Sequence, residues 1–455
     1  MIIKCQILAL HSAICLTAVA LGQTGGSLDA NFSPVRLDGG SGQVNDITIQ
    51  PDGKILLVGY FRLDSVPNSQ GLIRLNTDGS YDSTFQRPMI VSGGGTAVAL
   101  QADGKVLVGG GASPSTGFYG TGIARFNTDG SVDTSFRASS EINSTVEDIA
   151  IQPDGKILVA GGSAREIVRL NADGSLDSTF DVGSGATSSA IREVLLQPDG
   201  KILVAGGFNA FNGIARDAIA RLLPNGAVDP SFVANNWNRL SWIRSMALQS
   251  DGKIVIGGYF TRSSNSASND SVARLNADGS VDASFQGNAS AYVELVRVDP
   301  FGRVLVAGRF TAMNGSSRNY IARLNPDGSL DTSFNTFNGP NYWCWAIATQ
   351  GDGKVVVGGQ FTSVYGADHR AITRLNGGAG PALHAPRLMM TQNTGAGYTL
   401  RFDTRAGFSY RLRTSSDLSS WRTNTHAFLG TGTDSVITTN TSASQLFWSV
   451  VSSYQ

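Results

Sequence analysis

Few side chains in this sequence could carry out acid–base or nucleophilic chemistry. Four histidines occur in the 455 residues, and His369 follows Asp368 directly, an arrangement that could serve as a general base. No nucleophile is placed beside it, so we interpret His369 as a solvated loop residue. The metalloprotease, P-loop and nucleophile-elbow motifs are absent. We therefore predict no catalytic residue, no cofactor and no metal site, and an enzymatic role is not the preferred hypothesis.

A recurring oxygen-rich turn is the second feature that could carry out chemistry, in this case the binding of a cation. Its first copy runs Asn76-Thr-Asp78-Gly-Ser80-Tyr-Asp82. Calcium takes roughly six to eight oxygen ligands, usually with several converging carboxylates. One Asp of this copy lies in the turn, and the strand register described below pairs Asp82 with Arg74. Calcium binding at these turns is therefore not expected.

Aromatic residues concentrate in the segments of variable length. Exposed Trp and Tyr rings beside Asn-rich neighbours suit stacking on a sugar ring or the centre of a protein interface. The alternative is that these large rings fill gaps between structural units, since residues of this size are usually buried. The residues that we predict to bind ligand are Tyr119, Trp237, Trp242, Tyr342, Trp343 and Trp345.

The elements that would position these rings come from one repeated block. An apolar stretch leads into Gln-Pro-Asp-Gly-Lys, then Ile-Leu-Val-x-Gly-Gly-Phe, a variable loop, and Ile-Ala-Arg-Leu-Asn-x-Asp-Gly-Ser-x-Asp-x-Ser-Phe. Of the seven lysines, six directly follow an Asp-Gly turn, and Arg303 takes that place in the remaining copy. The glycine of this first turn recurs about every fifty residues, at Gly53, Gly104, Gly155, Gly200, Gly252, Gly302 and Gly353.

Each block predicts four short strands joined by Asp-Gly turns. In the first copy they cover roughly Asp46–Gln50, Lys54–Phe61, Leu72–Asn76 and Ser80–Phe85. The second strands are apolar on both faces, so each sheet must be covered on both sides by its neighbours. Stacked four-stranded units of this length are typical of propeller blades. The fold class is therefore an all-β, seven-bladed β-propeller.

The two ends of the repeat region predict how the first and last blades meet. The seventh copy stops at Arg374-Leu-Asn-Gly-Gly378 without its fourth strand, and residues 26–32 supply the missing motif. We predict that this N-terminal strand completes blade seven and closes the ring. An open β-solenoid, which would not need a split repeat, is the alternative. In each blade the register pairs the Arg of the third strand with the Asp of the fourth, as in Arg74–Asp82 and Arg374–Asp29.

These repeats resemble the bacterial delta-sixty repeat family. The resemblance covers residues 26–378 and rests on both halves of the unit, Pro-Asp-Gly-Lys-Ile-Leu-Val-Ala-Gly-Gly-Phe and Ile-Ala-Arg-Leu-Asn-x-Asp-Gly-Ser-Leu-Asp-x-Ser-Phe. It implies an exported β-propeller of bacterial surface or secreted proteins. It implies no particular reaction.

Composition and charge limit the partners. The formal net charge is zero, with 35 basic and 35 acidic residues, so no basic field is available for nucleic acid. Residues 1–22 read as a signal peptide, with an apolar run from about Ile7 to Leu21. A membrane anchor is the alternative, but His11 interrupts the run, which is shorter than the ~20 residues of a spanning helix. Cleavage would leave one cysteine, Cys344.

The remaining sequence predicts a separate C-terminal module. The propeller is assigned to residues 23–378, a linker to 379–386 and a small β-sandwich-like domain to 387–455. We expect an exported, non-catalytic, monomeric scaffold that binds a glycan or a protein through its variable loops, with no membrane span after signal cleavage. The alternatives are a polysaccharide-active lyase or hydrolase and a purely structural spacer in a surface layer.

Overall fold

The computed structural model describes most of residues 24–378 and the strands of the C-terminal region. The described ranges are 24–63, 71–86, 94–111, 122–161, 163, 166–187, 190–234, 239–261, 271–336, 338–378 and, in the C-terminal region, 389–392, 398–403, 408–415, 422–429, 434–439 and 447–454. The predicted signal peptide and linker lie outside them. No helix suited to crossing a membrane is found in the described ranges.

In the described part of residues 24–378, seven antiparallel sheets of three strands each follow one another along the chain. We call each a blade and number the blades in chain order. The inner strands are Leu37–Ile49, Gly95–Leu100, Val146–Ile151, Ile191–Leu196, Arg239–Leu248, Val293–Val298 and Cys344–Thr349. The middle strands are Ile55–Leu63, Val106–Gly110, Ile157–Gly161, Ile202–Gly206, Ile254–Thr261, Val304–Gly308 and Val355–Gly359. The outer strands are Leu72–Leu75, Ile123–Phe126, Ile167–Leu170, Ile219–Leu222, Val272–Leu275, Ile321–Leu324 and Ile372–Leu375.

Within the described residues, short two-stranded hairpins lie between the middle and outer strands of blades four, six and seven. They pair Ala210–Phe211 with Ile214–Ala215, Ala312–Met313 with Ser316–Ser317, and Ser363–Val364 with Ala367–Asp368. Each contains Asn-Gly or Tyr-Gly with both residues at positive φ, for example Asn314 at 49° and Gly315 at 73°. Two consecutive positive φ values are the geometry of a type I′ turn, which matches the strand twist.

The predicted fourth strand is shorter than expected. In blade one it is a single antiparallel bridge between Leu75 and Tyr81, and the other blades repeat this bridge. The following Asp ends the pairing, because Asp82 Oδ1 accepts hydrogen bonds from both N and Oγ1 of Thr84. This local side-chain turn competes with the sheet ladder. The blades are therefore three-stranded sheets with a bridged fourth segment.

The predicted Arg–Asp pairs form in all seven blades. Arg74 Nε donates to Asp82 Oδ2 at 2.7 Å, and the Lys after the first turn, Lys54, lies 2.9 Å from the same oxygen. The guanidinium covers the ring of Phe85 at 4.5 Å, and its Nη1 donates to the Thr128 carbonyl of the next blade. The equivalent Arg–Asp pairs are Arg125–Asp133, Arg169–Asp177, Arg221–Asp229, Arg274–Asp282, Arg323–Asp331 and Arg374–Asp29.

Packing between blades explains why the middle strands are apolar on both faces. Val106–Gly110, Ile157–Gly161 and Ile202–Gly206 are buried throughout. Seven hydrophobic clusters lie in the described residues, each formed by two neighbouring blades. One of them joins blade one to blade seven, with Val44 and Ile47 beside Ala346 and Val356.

The N-terminal segment pairs with the outer strand of blade seven. Leu28 forms an antiparallel bridge with Leu375, and the amide of Asp29 donates to the Arg374 carbonyl at 3.0 Å. The Asp29 carboxylate, whose side chain is fully buried, contacts Arg374 Nε at 2.7 Å and Lys354 Nζ at 3.0 Å. This segment thus occupies the place that residues after the second turn occupy in the other blades.

The C-terminal region belongs to a second compact unit, separate from the one that holds Thr24–Gln350 and Lys354–Gly377. It contains two antiparallel three-stranded sheets. One sheet orders its strands as Met389–Gln392, Tyr398–Asp403 and Asp434–Thr439, and the other as Arg422–Leu429, Phe408–Ser415 and Phe447–Tyr454. The alternating apolar pattern of the sequence predicts strands at 398–403, 408–414, 435–439 and 446–451, and these overlap four of the six strands described in this region.

Candidate functional site

A cavity of about 340 Å³ lies where the inner strands of the blades converge. Residues from all seven inner strands line it, together with Arg309, which follows the middle strand of blade six. Hydrogen bonds join neighbouring inner strands around it, such as Asn45 Nδ2 to the Gly95 carbonyl at 2.8 Å. We call this space the axial cavity.

A β-bulge in every inner strand brings two adjacent residues to the cavity. In a regular strand, neighbouring side chains point to opposite faces, whereas a bulge changes the direction of one of them. The bulges lie at Val44/Asp46, Gly95/Ala97, Val146/Asp148, Ile191/Glu193, Ile243/Ser245, Val293/Leu295 and Cys344/Ala346.

Two rings of side chains result. The loop-side ring consists of the residue eight positions before each turn glycine, nearer the variable loops: Asn45, Thr96, Glu147, Arg192, Arg244, Glu294 and Trp345. The turn-side ring consists of the residue seven positions before it: Asp46, Ala97, Asp148, Glu193, Ser245, Leu295 and Ala346. All of these residues except Ala346 line the axial cavity.

The bulge also accounts for one glycine of the Gly-Gly-Phe motif. A Cβ at Gly308 would lie 2.3 Å from the carbonyl oxygen of Tyr292, the residue just before the paired inner strand. Gly359 would meet the Trp343 oxygen at 2.2 Å in the same way. The close backbone approach therefore demands glycine beside the bulge.

The polar residues of the turn-side ring join each blade to the next. Their oxygen atoms accept hydrogen bonds from inner-strand amides that have no ladder partner on the axial side. The pairs are Asp46 with Val98 N at 2.9 Å, Asp148 with Val194 N at 2.9 Å, Glu193 with Met246 N, and Ser245 with Val296 N at 3.1 Å.

Burial raises the pKa values of these carboxyl groups, because the charged form loses hydration. The pKa of Asp46 rises to about 6 and that of Glu193 to about 7. The pKa of Asp148 is raised for the same reason. Arg297 also projects into the cavity, and its Nη1 donates to Glu193 Oε1 at 3.0 Å. Burial alone would lower the Arg297 pKa, but the three carboxylates outweigh it and raise that pKa.

The loop-side ring contains a buried carboxylate between two arginines. Glu294 has only 7% of its side chain exposed. Its Oε2 lies 3.0 Å from Arg244 Nε and its Oε1 2.6 Å from Arg309 Nε. The two arginine side chains keep 36% and 38% of their surface exposed. Glu294 therefore positions two guanidinium groups that remain accessible at the cavity.

Two N–H donors at the cavity lack a partner among the described residues. Arg192 pairs with Glu147 through Nη1 at 2.5 Å, yet its Nε is buried without a hydrogen bond. The indole Nε1 of Trp345 is likewise buried and unpaired. Buried donors are rarely left unsatisfied, so these two groups are available to an acceptor atom in the cavity.

The aromatic residues of blades five to seven surround these charges. Trp343 stacks on Tyr342 with centroids 4.6 Å apart, and the Arg309 guanidinium lies 3.9 Å from the Trp343 centroid. Two groups this close must cover opposite faces of the indole, so Trp343 holds Arg309 in place. Tyr342, in contrast, is 40% exposed. Trp242 is 36% exposed, with Arg192 and Arg244 within 6 Å of its ring.

The structure thus brings four of the six predicted binding residues to one region. Trp345 lines the cavity, Trp242 and Trp343 contact arginines of its wall, and Tyr342 stacks on Trp343. Tyr119 and Trp237 lie outside the described residues. The charged residues of both rings were not among the residues predicted from the sequence. Aligning the seven copies on their turn glycines would have revealed them, because Asp46, Asp148 and Glu193 fall at one repeat position.

The remaining candidates lie apart from the cavity. His369 does not line it; its ring contacts Thr373 Oγ1 at 3.3 Å, and burial lowers its pKa against the opposing effect of Asp368. At the oxygen-rich turns, Asp78 Oδ1 accepts from both N and Oγ of Ser80. Within the described ranges, no group of three or more His, Cys, Asp or Glu residues is arranged to hold a metal.

A family model described as "Domain of unknown function (DUF5122) beta-propeller" matches all seven copies of the repeat and about half of the chain. The matched residues are 50–85, 101–136, 152–180, 197–232, 249–285, 302–334 and 350–377. No curated protein matches the chain.

Solved β-propeller structures resemble the chain at low identity. A virginiamycin B lyase from Staphylococcus aureus is 13% identical, covers 73% of this chain and 94% of its own, and gives a TM-score of 0.46. YCF48 bound to a D1 peptide is 12% identical, covers 77% of this chain and 98% of its own, and also gives a TM-score of 0.46. Regucalcin from Agrobacterium tumefaciens, a calcium-binding protein, is 15% identical, covers 63% of this chain and 86% of its own, and gives a TM-score of 0.36. At such identities the likeness concerns the fold alone.

Proposed function

The chain belongs to the DUF5122 β-propeller family, and on that premise we propose that it is a binding protein that holds a sugar unit of a glycan at the axial cavity. The observation that carries this proposal is the joint presence of aromatic rings and ordered charged groups around one cavity. Sugars offer an apolar ring face and several hydroxyl groups, which act as both donors and acceptors. We also propose that the seven repeats are delta-sixty repeats, on the sequence resemblance described above.

The aromatic side supports stacking. Tyr342 exposes 40% of its surface beside the fixed Trp343, and Trp242 exposes 36% beside Arg192 and Arg244. A ring already packed against another ring loses little conformational entropy when a ligand docks on its open side. The rings are thus suited to the apolar face of a sugar.

The polar side supports orientation of the ligand. Arginines of the loop-side ring supply donors, and the carboxylates of the turn-side ring supply acceptors within the same cavity. Most of these groups are already held by protein hydrogen bonds, so their geometry exists before the ligand arrives. A few well-placed polar groups in a concave site are what fixes ligand orientation.

Glycan-array binding and calorimetry on the purified chain test the proposal. We expect Tyr342→Ala to weaken binding about fivefold or more, since one aromatic contact contributes roughly 1 kcal/mol or more. Tyr60→Ala is the control for removing an exposed ring, because Tyr60 is 54% exposed, whereas Tyr342 stacks on Trp343, the ring that holds Arg309 of the cavity wall. A flat array response, or equal losses for the two variants, would contradict the proposal.

A second candidate function is acid–base chemistry on a polysaccharide, as in a lyase or hydrolase. It is favoured by the raised pKa values of Asp46 and Glu193, which bring two carboxyl groups near neutrality in one cavity. Their hydrogen bonds to amides of the next blade give both residues a structural role, so binding remains the first proposal. Release of new reducing ends or unsaturated sugars, lost in Glu193→Gln, would favour this second candidate.

We also propose that the protein acts outside the cytoplasm. This rests on the signal-like sequence of residues 1–22. Expression of the full chain with fractionation of cells and medium tests it. Recovery of the protein in the cytoplasm with residues 1–22 intact would contradict it.

A further inference from the structure

We infer that the glycan held at the axial cavity is acidic, and that its anionic group, a carboxylate or a sulfate, binds Arg244 of the loop-side ring together with the adjacent Arg309. This inference rests on the proposed function and names the ligand class for the same site. It starts from the charges: Arg192, Arg244 and Arg309 face two carboxylates, Glu147 and Glu294. Counting Arg309, which is not a member of the loop-side ring but contacts its Glu294, the loop-side end of the cavity carries an excess of one positive charge.

The geometry of the arginine pair favours anion binding. Glu294 engages the Nε atoms of Arg244 and Arg309, and these are the hydrogen bonds that the two side chains make among the described residues. The Nη groups, which form the fork that pairs with a carboxylate or sulfate, are left for a ligand. Both arginine side chains stay more than a third exposed, so the ion pair with Glu294 leaves part of each guanidinium open to a ligand.

Both guanidinium groups are also held before a ligand binds. Arg309 lies 3.9 Å from the Trp343 centroid and 5.8 Å from that of Tyr292, and Arg244 lies 5.9 Å from that of Trp242. Contacts of this kind restrict the rotamers of a long side chain. Less entropy is then lost when an anion binds, which raises affinity without a new contact.

The unpaired donors add independent support. Arg192 Nε and Trp345 Nε1 are buried without an acceptor, and both residues line the cavity. A buried N–H without a partner costs free energy that an acceptor oxygen would recover. Carboxylate and sulfate groups are acceptor-only and carry several lone pairs, so they satisfy such donors better than hydroxyl groups do.

The turn-side ring gives the ligand a direction. There, Asp46, Asp148 and Glu193 face a single arginine, Arg297. An anionic group would be repelled from that end, whereas sugar hydroxyl groups could donate to its carboxylates. An acidic sugar thus fits with its anionic group toward the variable loops and hydroxyl groups toward the turns.

Calorimetry with three oligosaccharides of equal length tests the inference on the full chain. The probes are an oligogalacturonate, a sulfated galactan oligomer and a neutral galactan oligomer. We expect at least one acidic probe to bind about tenfold or more tightly than the neutral probe, and which acid binds identifies the anionic group. Neutral binding of equal strength would overturn the inference while leaving glycan binding intact. Absence of binding to any sugar would overturn the proposed function itself.

Substitutions then assign the effect to the arginine pair. Arg309→Gln and, separately, Arg244→Gln should each weaken binding of the acidic probe about tenfold and weaken binding of the neutral probe by a clearly smaller factor, because a neutral sugar loses a hydrogen bond but no charge pairing. Arg36→Gln makes the same charge change at an exposed ion pair with Asp368, outside the cavity, and should leave both affinities unchanged. Melting temperatures identify any variant that fails to fold. Equal weakening by Arg36→Gln would show that net charge, and not this site, attracts the ligand.

Discussion

Replacing Asp29 by Asn tests whether the N-terminal segment holds blade seven. The Asp29 side chain is fully buried and contacts Arg374 and Lys354 at 2.7 and 3.0 Å. Asn keeps the shape of the side chain and can still accept the hydrogen bond from the Asn31 amide. It removes the charge that compensates Arg374, whose side chain is only 6% exposed. The substitution therefore leaves a buried guanidinium without its counter-ion.

The expected loss of stability follows from that burial. Removing one partner of a buried ion pair costs roughly 3–5 kcal/mol, because the remaining charge stays desolvated. Lys354 is 26% exposed, so it can recover hydration and should add little. For a unit the size of Thr24–Gln350 with Lys354–Gly377, an unfolding entropy of about 2.1 cal/mol/K per residue converts this loss into a decrease in melting temperature of roughly 4–7 °C.

Thermal unfolding followed by circular dichroism measures the effect. Asp82→Asn is the matched control, because Asp82 makes the same contacts with Arg74 and Lys54 in blade one. We expect the two variants to lose similar stability. An unchanged melting temperature for Asp29→Asn, beside a clear loss for Asp82→Asn, would refute the idea that the N-terminal segment completes blade seven as the fourth segments complete the others.

Three further predictions concern the axial cavity and the blade core. Because the folded pKa of Glu193 is raised to about 7, its ionisation opposes folding increasingly as pH rises from about 4.5 through 7. Glu193→Gln should thus gain about 3 kcal/mol relative to the wild type between pH 4.5 and 8 in urea titrations, and a constant difference would contradict this. Gly308→Ala places a Cβ 2.3 Å from the Tyr292 carbonyl oxygen and should lower the free energy of unfolding, measured in urea, by roughly 1–3 kcal/mol. Gly315→Ala is the control, because nothing lies within 4 Å of its Cβ and only the positive φ opposes the change; an equal loss in both variants would contradict the role of the close approach. Cys344 is buried and its pKa is raised by burial, so a thiol reagent should label it only after denaturant is added, and rapid native labelling would contradict the packing.

Much of the blade could be predicted because its determinants are local and repeated. The Asp-Gly turns set the hairpin register. In every copy that register places the Arg of the third strand opposite the Asp of the fourth segment, as in Arg74 and Asp82. The restriction of lysine to the residue after the first turn has the same origin, since Lys54 reaches the carboxylate that Arg74 holds. The length of the fourth strand was overestimated, because the side-chain turn at Asp82 and Thr84 ends the pairing.

The cavity was harder to foresee for a physical reason. An alternating strand pattern assigns Asp46 and its neighbour Asn45 to opposite faces, and only the bulge turns both toward the axis. The environment of Trp343 could not be predicted from the sequence either. Its sequence context suggested an exposed platform, but Arg309 from the preceding blade covers one of its faces.

The sequence by itself determined the repeat, the turns and the pairing within each blade, because these depend on residues a few positions apart. The tertiary structure alone decided which side chains share the axial cavity. Glu147, Glu193 and Glu294 stand in three different blades, and both their proximity and the raised pKa of Glu193 depend on how the blades converge. Burial and charge at such a site are collective properties of strands that are distant in the chain, so no local pattern encodes them.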